Sequence, residues 1–328
     1  MRRLKNLNPD IYSENMLIKA AWYYYKENLT QNEIALLLDI SRPKVVRLLE
    51  KARAEGIIQF HIKGHERNCL SMEKEFKDVF SIPDAFIIPT PVHKKDVSTS
   101  LSKACAQYLQ SKLQPNDMIG LGWGKAISKT IDYLTLDPDS NISVVTLTGG
   151  VNYYLHNRRF QKGGMEQFQD IHVIPAPFLA SSEDMAESLL SEPSIKEILD
   201  LGKLSTYNIV GIGGVYPDAT IIQEEKMTVN ELMFIKQQQA VGDILGQFYD
   251  KNGNLLNLPH HKRLIGTPLP ALKKLNHVIA VAGGEKKTEA IYGALKGKYI
   301  HTMITDEATA VSLLQMEVNS QNDIHSGL

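Results

Sequence analysis

Seven short apolar runs, bounded by turn residues and rich in β-branched side chains, punctuate the chain: AFIIP (85–89), DMIGLG (117–122), ISVVTL (142–147), IHVIP (171–175), YNIVGIG (207–213), HVIAVAG (277–283) and YIHTMIT (299–305). Helical patterns follow most of them, over Val97–Leu113, Lys125–Leu134, Glu183–Leu190 and Glu285–Leu295. Strands and helices in alternation bury their apolar faces together by laying helices on a mostly parallel sheet. The fold class read from the sequence is therefore α/β, a doubly wound sheet. In such sheets ligands gather outside the carboxyl ends of the strands, so the turns after the apolar runs are where a site is expected.

Three of those turns suit an anion: Gly120-Leu121-Gly122-Trp123-Gly124-Lys125, Thr146-Leu147-Thr148-Gly149-Gly150, and Gly283-Gly284-Glu285-Lys286-Lys287-Thr288. Glycine lets backbone N–H groups approach closely, and the helix behind each turn presents a positive dipole end. Glycine is also the ordinary turn residue of α/β folds. The first turn is not a phosphate loop of the Walker type, because Ile119 stands where that motif needs glycine and Ala126 where it needs Ser or Thr. It lacks the dinucleotide spacing as well, so ATP and NAD are disfavoured and no cofactor is expected. A further stretch, Ala240-Val241-Gly242-Asp243-Ile244-Leu245-Gly246, reads as a loop. Its Asp243 either forms a turn with its own backbone or aims a carboxylate at ligand hydroxyls.

Upstream of the repeating units the pattern changes. Thr30 followed by Glu33 makes a capping box that starts a helix over Gln31–Leu38, and Ser41 caps another running Arg42–Lys51 with Pro43 in its first turn. A short helix, a tight turn and a capped basic helix form a helix-turn-helix. Its second helix would enter a major groove, bringing Ser41, Arg42, Lys44 and Arg47 to bases and phosphates while Val45, Leu48 and Leu49 pack inward. Gln31 would hold a phosphate at the preceding helix N-terminus. The alternative is a three-helix protein-interaction module with solvated charges. Residues 54–64, AEGIIQFHIKG, alternate as a β-wing would.

Charge agrees with this division: residues 1–64 carry 11 Lys/Arg against 7 Asp/Glu, and the rest 25 against 30. No apolar run approaches the roughly 20 residues that span a bilayer, and MRRLKNLNPD lacks the apolar stretch of a signal peptide, so no membrane association and a cytoplasmic location are expected. Cys69 and Cys105, the only cysteines, have no metal-ligand spacing, and no metal site is expected. The expected organisation is a helix-turn-helix domain over 1–64, an effector domain over 65–318 joined by a polar helix at Cys69–Phe80, and a disordered polar tail at 319–328.

The stretch LTQNEIALLLDISRPKVVRLLEKARAEGII, the turns IGLGWG and VVTLTGG, the segments IPAPFLASS and GDILGQFYDKNG, and VAGGEKKTEAIYGALKGKYIHTMITDEATA together resemble the SorC/DeoR-type family of sugar-binding transcriptional regulators, over about residues 16–315. The resemblance implies a winged helix-turn-helix joined to an effector domain with the fold of phosphosugar isomerases and deaminases. It implies a homo-tetramer on operator DNA controlled by a phosphorylated sugar or polyol, phosphorylated autoinducer-2 among them. It assigns Tyr24 and Gln31 to DNA, and Asp243 and Lys287 to the effector's hydroxyls and phosphate. Gly122, Trp123, Gly124, Thr148, Gly149, Gly150 and Leu245 fall at pocket turns.

An isomerase or deaminase activity is the competing reading. Such chemistry needs a general acid/base pair on the substrate carbon. Asp243 has no evident partner in the sequence, since His93, His260, His261 and His301 are scattered and read as surface or structural residues. The chain is expected not to be an enzyme.

Overall fold

The computed structural model describes residues 9–58, 66–93, 96–150 and 165–326. The chain divides into two compact units, Met1–Gly64 and His65–Leu328.

The first unit holds three helices, α1 (Pro9–Tyr25), α2 (Gln31–Leu37) and α3 (Arg42–Ala54). The Thr30 hydroxyl accepts from the Glu33 amide at 3.3 Å while the Glu33 carboxylate accepts from the Thr30 amide at 2.7 Å, so the capping box starts α2. α2 ends where Asp39 adopts a φ of 51° and the Ile40 amide donates back to the Ala35 carbonyl at 3.0 Å. That is a Schellman closure with Asp where glycine is usual. Ser41 stands at the N-cap of α3 with extended backbone, yet its side chain makes no capping hydrogen bond, contrary to expectation. Ala20, Ile34, Val45 and Leu49 form the buried centre, with Leu48 packed at its edge. The β-wing expected over 54–64 falls mainly outside the described residues: α3 closes through Gly56, at a φ of 71°, and residues 59–64 are not described.

The second unit opens with α4 (Glu66–Phe80) and β1 (Asp84–Ile88), followed by α5 (Val97–Lys112), β2 (Met118–Leu121), α6 (Lys125–Tyr133), β3 (Ser143–Thr146) and β4 (Ile171–His172). Then come α7 (Glu183–Ser191), α8 (Pro193–Gly202), β5 (Tyr207–Gly211), β6 (Gly213–Gly214), α9 (Thr220–Gln223) and α10 (Val229–Gln237). The chain ends with β7 (Gly242–Ile244), β8 (Gln247–Tyr249), β9 (Val278–Val281), α11 (Thr288–Lys296), β10 (Thr302–Asp306) and α12 (Glu307–Ser326).

Seven strands form a parallel sheet in the order β1-β10-β9-β5-β2-β3-β4. β9 and β10 are buried along their whole length, as strands covered on both faces must be. From β2 the chain winds outward through β3 and β4, then returns to β2's other side with β5, β9 and β10. This reversal is the switch point that leaves a crevice at the strand ends.

Three expectations change. α4 is no mere connector, because Phe76 is fully buried and its ring lies 4.6 Å from that of Phe80 in the main core. The stretch around Asp243 is a hairpin rather than a loop: β7 pairs antiparallel with β6 on one side and with β8 on the other, joined to β8 through a two-residue turn whose residues, Leu245 and Gly246, have φ of 54° and 78°. Positive φ at both positions matches the twist of a hairpin, and leucine there is strained. The polar tail read as disordered continues α12 through Ser326.

Candidate functional site

In the first unit the helix start and the turn present their polar groups outward. Ser41, Arg42, Lys44 and Arg47 are exposed along the opening turns of α3, while Val45 and Leu49 of the same helix are buried. Tyr24, Gln31 and Arg42 share one shallow depression with Thr30 and Asn32. Residues from all three helices thus share one depression at the N-terminal ends of α2 and α3.

In the second unit a cleft of about 770 Å³ opens at the carboxyl ends of β9 and β10. Its walls are the Gly283–Thr288 turn, Asp306 at the end of β10 and Thr309 in α12, Thr90 and the α5 residue Ser98, and Tyr216 and Asp218 after β6. Ala126, in the first turn of α6, also reaches it. Gly124 precedes α6 at a φ of 125° with open space where a Cβ would stand, and no side chain caps that helix. Gly284 has a φ of 93° and similar open space. Of the three glycine turns singled out from sequence, Gly283–Thr288 therefore lines this cavity, and Ala126, the residue after the Gly120–Lys125 turn, reaches it.

The third turn behaves differently. The Gly149 amide donates to the Ile265 carbonyl and the Gly150 amide to the Ala176 carbonyl, both at 2.8 Å, and the Gly122 amide is likewise held by Ile209 at 2.8 Å. Those donors are committed within the protein, so the anion cradle expected at Thr146–Gly150 is not open. Gly149 is required there because a Cβ would stand 2.3 Å from the Pro177 carbonyl oxygen. Thr148 is buried beside them, and its hydroxyl has no hydrogen-bond partner. Trp123 is buried with its ring centroid 4.8 Å from that of Phe178.

Asp243 sits on β7 opposite Gly213, where a Cβ would lie 2.0 Å from its Oδ1, and its Oδ2 accepts from the Gly246 amide at 3.0 Å. Burial pushes its carboxyl up to about 6, against the lowering effects of the Gly246 hydrogen bond and the Lys287 charge. Lys287 donates to the Ile212 carbonyl at 2.8 Å; burial lowers its ammonium, and the Asp243 charge opposes that. Lys286 instead turns outward to a salt bridge with Asp218 at 2.9 Å.

Residues 65–315 match the family model described as "Putative sugar-binding domain". The chain is 39% identical over 306 residues to the transcriptional regulator LsrR of Escherichia coli (strain K12), covering 92% of this chain and 95% of that protein. It is 34% identical to LsrR of Klebsiella pneumoniae, with 92% and 94% covered. The chain belongs to this sugar-binding family. Its fold is that of the full-length sorbitol operon regulator SorC from Klebsiella pneumoniae, with a TM-score of 0.71 at 24% identity over 94% of this chain and all of that one. A transcriptional regulator from Streptococcus pneumoniae superposes with a TM-score of 0.69 over 77% of this chain and 99% of that one, at 22% identity.

Within the family fold, the histidines weighed as catalytic candidates serve structure where they are bonded. His261 Nε2 accepts the Phe248 amide at 2.8 Å and His301 Nδ1 accepts the Val278 amide at 3.0 Å. Several residues of the site escaped the sequence reading. Gly213 and the Ile212 carbonyl were counted only as strand, although the run Gly211-Ile212-Gly213-Gly214 signals close backbone approach. Asp306 accepts from the Thr309 hydroxyl at 2.7 Å, three residues on, which reads as an ordinary helix start, and from the Thr90 hydroxyl at 3.1 Å, 216 residues away, which no local pattern shows. No helix among the described residues is long and apolar enough to cross a membrane.

Proposed function

We propose that this chain is a DNA-binding transcriptional repressor controlled by a phosphorylated sugar or polyol. The observation that carries the reading is that similarity to named transcriptional regulators runs through both units, over 92% of the chain. α2 and α3 act as the helix-turn-helix: Ser41, Arg42, Lys44 and Arg47 read or clamp the duplex, and Tyr24 and Gln31 fix its backbone. The effector's phosphate lies in the cleft between the uncapped start of α6 and the Gly284 turn, with Lys287 as its point charge. Its hydroxyls meet Asp243 and Thr148, near Gly122, Trp123, Gly149, Gly150 and Leu245.

The active form is a homo-tetramer whose two-fold pairs present recognition helices to operator half-sites. Effector binding changes how the effector units are arranged and takes the helix pairs out of register with the DNA. Such coupling is typically about 1–3 kcal/mol and reciprocal, so operator weakens effector binding by the factor that effector weakens operator binding.

The test is a titration of the chain against its own upstream DNA at fixed salt, with a panel of phosphorylated and unphosphorylated sugars that includes phosphorylated autoinducer-2. Loss of DNA affinity with a phosphorylated compound alone is the expected result. Tight DNA binding indifferent to the whole panel refutes control by a sugar phosphate.

A further inference from the structure

The residues assigned to the effector fall into an open part and a closed part, and one aromatic ring lies in the closed part. Phe178 is buried. Its ring lies against Trp123, its Cβ is 3.3 Å from where a Cβ on Gly150 would stand, and its Cζ is 2.6 Å from the corresponding point on Gly246. The ring therefore spans from the Thr148–Gly150 turn to the tip of the β7–β8 hairpin, whose Gly246 amide holds the Asp243 carboxylate.

Polar groups flank the two glycines that the ring approaches. Thr148 has a buried hydroxyl without a partner, and Asp243 is a buried carboxyl. Polar groups withdrawn from water without full hydrogen bonding are unfavourable, and a closed pocket gains when a polyol replaces the apolar plug with donors and acceptors. The Phe178 carbonyl accepts from the Ile265 amide at 3.1 Å, which ties its backbone in place. Glycine at 150 and at 246 leaves no side chain of its own on either flank.

The geometry points to Phe178 as a ligand-displaced plug: its ring occupies the effector's place beside Thr148 and Asp243, and its size sets effector affinity. This inference rests on the sugar-phosphate reading above. It differs from an ordinary contact residue in sign, because truncating a plug tightens binding where truncating a contact weakens it.

The experiment uses the full chain carrying Trp22→Phe, which leaves Trp123 as its only tryptophan. D-ribose 5-phosphate, D-fructose 6-phosphate, sorbitol 6-phosphate and phosphorylated autoinducer-2 are titrated by calorimetry and by Trp123 emission. Phe178→Ala and Phe178→Leu are expected to bind the preferred probe about tenfold and about threefold more tightly, in order of side-chain size, and Phe178→Trp more weakly. In the Phe178 protein, probe binding is expected to change Trp123 emission as the stacked ring leaves. Unchanged or weaker affinity in both truncations overturns the plug while leaving the functional reading in place, as does binding that leaves Trp123 emission unaltered. Silence of every probe toward all the variants overturns the sugar-phosphate reading itself, and the plug with it. The Leu variant keeps the comparison available if the Ala variant does not fold.

Discussion

Replacing Asp243 by Asn removes a buried charge that also supports the Lys287 ammonium. The Asp243 carboxyl is raised from 3.8 to about 6 by burial, so between those values the folded chain binds more protons than the unfolded one. The sign follows from linkage: stability is lost as pH rises through this window and is level above it. At about 1.36 kcal/mol per pKa unit, the ionised carboxylate costs about 3 kcal/mol at pH 7.5 and roughly half of that at pH 5. Asn keeps an oxygen facing the Gly246 amide and removes the charge. The stability of the variant relative to the parent is therefore expected to rise by roughly 1 kcal/mol from pH 5 to pH 7.5.

The parent's own pH profile does not show this directly, because His260 and His261 pull the other way. Burial lowers both to about 4 from 6.5, so their contribution is present above pH 6.5 and is lost as pH falls toward 4. Both proteins carry the histidines, and the difference between them cancels that contribution. Urea unfolding followed by Trp123 emission in a Trp22→Phe background reports the unit that contains the site. A margin that stays constant within about 0.5 kcal/mol across pH 5–7.5 refutes the reasoning, since an unshifted carboxyl has no titration left in that range.

Arg47→Ala and Gln31→Ala are expected to weaken operator binding with effector binding intact, and Arg47→Ala to lower the slope of log affinity against log salt by about one. A mobility-shift titration at several salt concentrations checks both. Thr30→Ala removes one side of the capping box and is expected to destabilise the first unit by about 1 kcal/mol, read by circular dichroism. Asp243→Ala is expected to bind operator normally and to ignore effector, a super-repressor phenotype visible in a reporter strain. His261→Ala leaves the Phe248 amide without its acceptor, and a loss of about 1–3 kcal/mol in urea unfolding at pH 7.5 is expected.

Legibility in the sequence tracked how local each signal was. The seven parallel strands were marked by apolar runs that need both faces covered, and the start of α2 by a capping box contained within four residues. The β7–β8 hairpin was missed because its turn is Leu245-Gly246 rather than Asn-Gly, and a leucine at positive φ gives no turn signal. α12 runs on through a polar stretch whose composition resembles disorder. Composition alone does not show where a helix anchored to β10 stops.

The site divided along the same line. Glycine turns were visible as turns, but whether their amides were open depended on segments distant in sequence. Ile265 and Ala176 take the amides of Gly149 and Gly150, whereas no side chain caps the helix that follows Gly124. A glycine pattern identifies where backbone can approach closely, and the approaching group is protein at one turn and open space at another. Asp243 shows the converse. Its hairpin, the Gly213 that lets β6 come close, and the Lys287 that offsets its charge are separated by up to about 75 residues, so sequence could nominate the carboxylate and only the fold could bury it. The buried Asp243 carboxyl with its countercharge nearby, and the unpaired Thr148 hydroxyl beside Gly149 and Gly150, are polar groups whose enclosure is set by segments remote in sequence, so residue type alone did not reveal it.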